Sequence, residues 1–286
     1  MSQKLPKNPI SFGLAITKPH KRWALVALFF VLAATTVDRL SVIILRNLTD
    51  SIAQKPIDMG TIWFWGLLFP AVYLIAHLLW RGSGFSGMIW FSNYRATAYR
   101  KLYEYLTLHS KDYFSSRFSG ALVNKIANAV DGSEEIFDKF LWNFIPLIVG
   151  LVWYVAIVAF SDLRLAAILG IWTIFFLLTN VWFARKLQPR SYRSAQAIST
   201  LKGRIVDSLS NISLVHEYAY VAGEREYINT YIRKHKHALI DRWKLSEFVL
   251  LANGVQIVIF MYLMLGTSLS LYEQNVISIG VVVMVI

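Results

Sequence analysis

Three short patterns in this sequence could do chemistry. Gly82-Ser83-Gly84-Phe85-Ser86-Gly87 matches G-x-G-x-x-G letter for letter, the spacing that lets a backbone approach a dinucleotide pyrophosphate. That chemistry needs a strand before the glycines, a helix after them and an acid about 20 residues further on. Here the glycines follow an apolar run of helical character, where small residues instead let helices pack closely. His235 and His237 offer two imidazoles. Their two-residue spacing turns the rings to different sides of a helix, away from the spacing a zinc site uses. Asp38-Arg39 sets an acid beside a base inside an apolar run. Charges at membrane depth cost at least about 2.5–3.5 kcal/mol and so face a cavity or a partner. Two roles are open for this pair: lining a cavity that contacts substrate, or joining one helix to another. The same two roles are open for His77, Asn143, Asn180 and Gln256, which lie within or at the ends of apolar runs.

The elements that must position these residues follow from composition. Hydrophobic residues make up 56% of the 286-residue chain and charged residues 16%, against about 45–50% and 25% for soluble domains. The mean hydropathy is +0.48 and the formal net charge +12. Apolar runs therefore alternate with basic stretches, which excludes a soluble globular domain and implies a polytopic membrane protein. Cysteine is absent, which removes disulfides, thiolate metal sites and cysteine nucleophiles.

A membrane-crossing helix needs about 20 mostly apolar residues. Residues 23–45, 62–80, 142–160, 165–184 and 248–268 supply five spans, and 276–286 begins a sixth. The third and fourth are joined by the four-residue turn Ser161-Asp162-Leu163-Arg164. Eleven residues rise only about 16 Å, half of a hydrocarbon core, so the sixth span reads as cut short. Residues 1–22 form a basic leader too unlike a cleavable signal to be one. Basic residues outnumber acidic ones five to none in the leader, eight to six over 81–139 and twelve to six over 185–247. The other loops are acidic on balance. The positive-inside rule thus places the leader and both long segments in the cytoplasm, in a plasma or bacterial inner membrane. Helical spacing of Leu122, Ile126 and Val130 predicts that spans two to five continue beyond the bilayer as helical arms. The breaks fall near 113–120 and 216–223. The aromatic residues suit interfacial belts and the basic arms suit anionic lipid, so lipid and not nucleic acid is the expected partner.

Three stretches fall in order along the chain. They are Tyr113-Phe114 with Ser119-Gly120-Ala121-Leu122-Val123-Asn124-Lys125-Ile126 and Asp131; Gly203, Asp207-Ser208-Leu209, Asn211-Ile212 and Val215 with Tyr218 and Glu224; and Ile277-Ser278-Ile279-Gly280. Together they resemble the transmembrane region of ATP-binding-cassette (ABC) exporters. The pattern departs at Val221, where that family often has an acid three residues before the one matched by Glu224. It also departs in having no G-x-x-x-x-G-K-[ST] loop within these 286 residues, so nothing here cradles ATP phosphates.

The resemblance implies an all-α half-transporter that pairs with a second copy or a related half-transporter. ATP and Mg would sit on an ABC ATPase domain supplied elsewhere, with no cofactor and no catalytic residue in this chain. Phe114, Arg117, Ser119 and Gly120 would form a first coupling turn against that ATPase, and Tyr218, Ala219 and Glu224 a second. Asp38, Arg39, His77 and Gln256 are the candidates for a substrate cavity. Other readings are a truncated, inactive piece of a fused half-transporter and a non-transporting membrane scaffold or regulator. Lipids, peptides and drugs suit such a cavity equally.

Overall fold

The computed structural model describes residues 6, 8–115 and 119–285, and every regular element among them is helical. Five helices are long and apolar enough to cross a membrane: Pro9–Ala53, Met59–Thr107, Leu122–Ser161, Leu163–Ser210 and Val221–Glu273. They contain the first five apolar runs of the sequence. Their outward faces carry exposed apolar side chains such as Leu67, Leu74, Ile171, Leu178 and Leu251, a surface suited to lipid rather than water. The chain divides into two compact units, residues 1–163 with 268–286, and residues 164–267.

The first unit begins with α1 (Pro9–Thr17), where Asn8 caps the helix by accepting the Ile10 N–H at 2.9 Å. Residues 9–17 of the leader are therefore helical, which its charge pattern did not indicate. Phe12 and Ile16, four residues apart, share one helical face and are buried. They join Ala27 and Val31 of α2 (Lys21–Ala53), then Trp90, Phe91, Tyr94 and Ala98 of α3 (Met59–Thr107), in one core. Burying side chains of this size contributes about 1.5–3 kcal/mol each, enough to dock α1.

Asp58 starts α3. Its carboxylate accepts the Thr61 hydroxyl at 2.5 Å and the Gly60 N–H at 2.9 Å, and these bonds, Thr61 foremost, hold the carboxyl below its usual range. The helix then runs 49 residues, about 74 Å at 1.5 Å per residue, far beyond what a bilayer needs. A short α4 (Lys111–Ser115) follows, and α5 (Ser119–Lys139) runs back along α3. There Tyr94 donates to Ser133 at 2.8 Å, and Arg95 clamps Glu134 at 2.6 Å and Asp131 at 2.7 Å. A π-helical turn at Phe140–Phe144 leads into α6 (Ile145–Ser161). The sixth apolar run holds α10 (Ile279–Val285), packed on α2.

The G-x-G-x-x-G stretch lies inside α3, which settles its role as packing. A side chain on Gly82 would meet Phe30 of α2 at 2.8 Å, one on Gly87 would meet Trp142 at 2.5 Å, and Gly84 faces open space.

The expected turn at 161–164 shrinks to one residue. Ser161 is still helical and Leu163 already is. Only Asp162 leaves the helix, at φ −158° and ψ 132°, while its N–H still bonds the Val158 carbonyl at 2.9 Å. Asp162, extended and immediately before Leu163, stands at the N-cap position of the next helix, a place aspartate favours.

The second unit is an antiparallel pair. α7 (Leu163–Ser210) runs 48 residues, α8 (Ile212–Glu217) forms a short break, and α9 (Val221–Glu273) returns over 53. The predicted arms are thus real helices, continuous with their spans.

Candidate functional site: helical tips and polar seams

Several polar side chains inside the apolar runs gather in one seam in each unit, while His77 and Asn143 stand outside both. In the first unit, α2 meets α6. Arg39 Nη1 donates to the Tyr154 hydroxyl at 2.9 Å, and its guanidinium carbon lies 4.7 Å from the centre of that ring. Asp38 stands 3.5 Å from the same guanidinium. Gly150 makes room for it, since a Cβ there would fall 3.2 Å from Arg39 Nε. Trp153 donates to Thr36 at 3.2 Å and Arg46 to Ser161 at 3.2 Å. Arg39 thus has a partner helix, and Asp38 balances its charge.

In the second unit, Gln256 is half-buried. Its Oε1 accepts the Thr179 hydroxyl at 3.1 Å and its carbonyl accepts Trp172 Nε1 at 3.2 Å. Asn180 and Asn253 exchange amide hydrogen bonds at 3.2 and 3.1 Å. Trp172 stacks on Phe260 with centroids 4.3 Å apart. These bonds satisfy the polar groups that lipid would leave bare. His77 lies exposed on α3, and Asn143 lies exposed in the π turn. Tyr154, Thr36, Thr179 and Asn253 were not singled out by sequence. Each is unremarkable until the rotation of its helix is known.

The tips of the arms are built differently. α4 carries Phe114, exposed, its ring edge-on to Tyr113 at 5.6 Å. Ser119 and Gly120 open α5, and Arg117 lies outside the described residues. In the other unit, α8 presents Leu214, and Tyr218 just past it is 78% exposed. Ala219 then adopts φ 50°. Its N–H bonds the His216 carbonyl at 3.0 Å and the Tyr220 N–H bonds the Val215 carbonyl at 2.9 Å, the paired bonds of a Schellman stop. A residue with a Cβ pays about 1–2 kcal/mol to sit there. Gly223 leaves space for the Tyr220 ring. Glu224 lies in the first turn of α9, not in the break itself. It edges a groove of about 620 Å³ beneath α8, lined also by Leu209, Ile212, Val215, Val221 and Ile228. Among the described residues, no three His, Asp or Glu side chains gather closely enough to hold a metal ion.

The family model of the ABC transporter transmembrane region matches residues 24–286. The chain belongs to this family. No curated protein sequence matches it. It is therefore a membrane-spanning ABC transporter subunit, integral and multi-pass. The match starts at Ala24, so α1, which docks on α3 and α5, lies before the matched residues.

Proposed function

We propose that this ABC transporter subunit is the translocation half of an ATP-driven exporter, with its helical tips as the points where an ATPase domain takes hold. The supporting observation is that each long helical excursion is interrupted by one short helix carrying exposed apolar or aromatic side chains. These are Phe114 on α4, and Leu214 on α8 with Tyr218 just after it. Exposed groups of this kind on a helix end fit a docking partner.

The arms are levers. A 53-residue helix is about 80 Å long, of which a hydrocarbon core takes about 30 Å. Binding energy spent at the tip then tilts the span at the other end, biasing an equilibrium between two packings. The ATPase domain holds ATP and Mg, whether on another chain or on the same polypeptide. A second copy or a related half-transporter completes the path. The leader and arms face the cytoplasm by the charge bias of their loops. Asp38 and Gln256 stand in the seams that such a tilt would rearrange.

The test is ATP hydrolysis by the ATPase that purifies with the tagged chain. Phe114→Ala combined with Tyr218→Ala is expected to abolish its stimulation by this subunit while leaving basal hydrolysis in place. Unchanged stimulation would remove the tips from the coupling path.

A further inference from the structure

Four cations gather just past the fourth apolar run. Arg185, Lys186, Arg190 and Arg193 fall within about 140° of one face of α7 at 100° per residue. With Pro189, and with Asp241 from α9, they line a pocket of about 650 Å³. Arg190 Nε donates to Asp241 Oδ2 at 3.1 Å, so the one acid in the lining is already matched. Arg185, Lys186 and Arg193 are exposed and leave the pocket strongly positive.

Depth selects what such a pocket meets. The apolar run ends at residue 184, and Arg185 to Arg193 cover roughly the next 13 Å at 1.5 Å per residue. A headgroup layer is about 5–8 Å deep on each side of the hydrocarbon. Arg185 and Lys186 therefore lie among headgroups, and the long side chains of Arg190 and Arg193 reach back to them from the water side. Aromatic side chains mark the same boundary. Lys186 Nζ sits 3.6 Å from the centre of the Trp182 ring, and Trp182 and Trp243 are both exposed on the membrane side of the Arg190–Asp241 pair, as in an interfacial belt.

We propose that this pocket binds the phosphate of an anionic glycerophospholipid in the leaflet facing the arms. Guanidinium forks match phosphate oxygens two at a time, and a lysine adds a point charge beside them. The inference rests on residues 165–184 crossing the bilayer, and it holds whatever the transporter carries.

Native mass spectrometry of the full chain in detergent tests it, with phosphatidylglycerol and phosphatidylcholine of matched acyl chains as probes. The wild type is expected to retain phosphatidylglycerol preferentially. Arg185→Gln, Lys186→Gln and Arg193→Gln together should weaken that retention by roughly ten-fold or more. Arg185→Lys with Arg193→Lys, which keeps the charge and loses only the forks, should weaken it less than the glutamine triple, which separates lost charge from lost folding. Lys202→Gln, Lys234→Gln and Lys236→Gln together, on the arms, should leave it unchanged. Equal loss in this distal triple variant would overturn the site, as would equal retention of the two lipids by the wild type. Displacement of the lipid by millimolar glycerol 1-phosphate would overturn the lipid as its occupant.

Discussion

Asp50 and Gly280 are 230 residues apart in sequence, and the Asp50 carboxylate accepts the Gly280 N–H at 2.7 Å. Its other oxygen accepts the Ser278 hydroxyl at 2.7 Å. The end of α2 thereby caps the start of α10, and Arg46, one turn earlier, lies 3.9 Å from the same carboxylate. Gly280 is required at this contact, because a Cβ there would press on the Arg46 carbonyl and come within 2.6 Å of Asp50 Cγ. Gly280→Ala should cost about 1–3 kcal/mol by overpacking, and Asp50→Ala about 1 kcal/mol by loss of the cap. Thermal unfolding of the purified chain in detergent reads both. Because both act on one contact, the double variant should lose less than the sum.

Arg39 and Tyr154 form the second test. If their hydrogen bond is the reason Arg39 is tolerated in the bilayer, Arg39→Gln and Tyr154→Phe should be coupled by about 0.6–1.7 kcal/mol in a double-mutant cycle, as for other interhelical bonds in membranes. Zero coupling, with Arg39→Gln weakening substrate binding alone, would favour the cavity role instead.

The three glycines of the stretch at 82–87 should separate cleanly. Gly84→Ala is expected to be neutral or to stabilise α3 by up to about 1 kcal/mol through helix propensity, since Gly84 faces open space. Gly82→Ala and Gly87→Ala should destabilise by about 1–3 kcal/mol. Gly87 should be the worse, because Trp142 is tied to Ser83 by a 3.3 Å hydrogen bond and cannot swing away as Phe30 can. Unfolding midpoints of the three variants check the order.

Ala219 sits at φ 50° in the stop after α8. Ala219→Gly should stabilise that tip by about 1 kcal/mol, slowing amide hydrogen exchange at Ala219 and Tyr220. Ala219→Val should speed it.

How far the sequence reached depended on what each signal averages over. Hydropathy sums lipid exposure along a whole run, so the spans at 62–80 and 142–160 were legible, and the extension leading into the latter needed the spacing of Leu122, Ile126 and Val130. Which faces meet is a matter of helix rotation, and no run records that. The partner of Arg39 is Tyr154, 115 residues away, and nothing local to either names the other. α1 was hidden because its basic neighbours dominated the reading of residues 1–22, while docking rests on two side chains, Phe12 and Ile16. The break near 216–223 was foreseen, but the short helix formed earlier, at Ile212–Glu217. It stops where Ala219 turns left-handed, Val221 opens the next helix, and Glu224 consequently falls in its first turn.

The measurement that bears most directly on the account uses the absence of cysteine from the chain. A single Tyr218→Cys reports on the second tip alone, since Tyr218 is exposed in the free subunit. In sealed vesicles that expose the cytoplasmic face, a membrane-impermeant maleimide should label it readily. Binding of the ATPase domain should slow that labelling several-fold or more, while a cysteine at Leu251, on the lipid-facing surface, should show no such change. Labelling of Tyr218→Cys from the opposite face, or labelling indifferent to the ATPase, would contradict the assignment of these tips as the coupling elements.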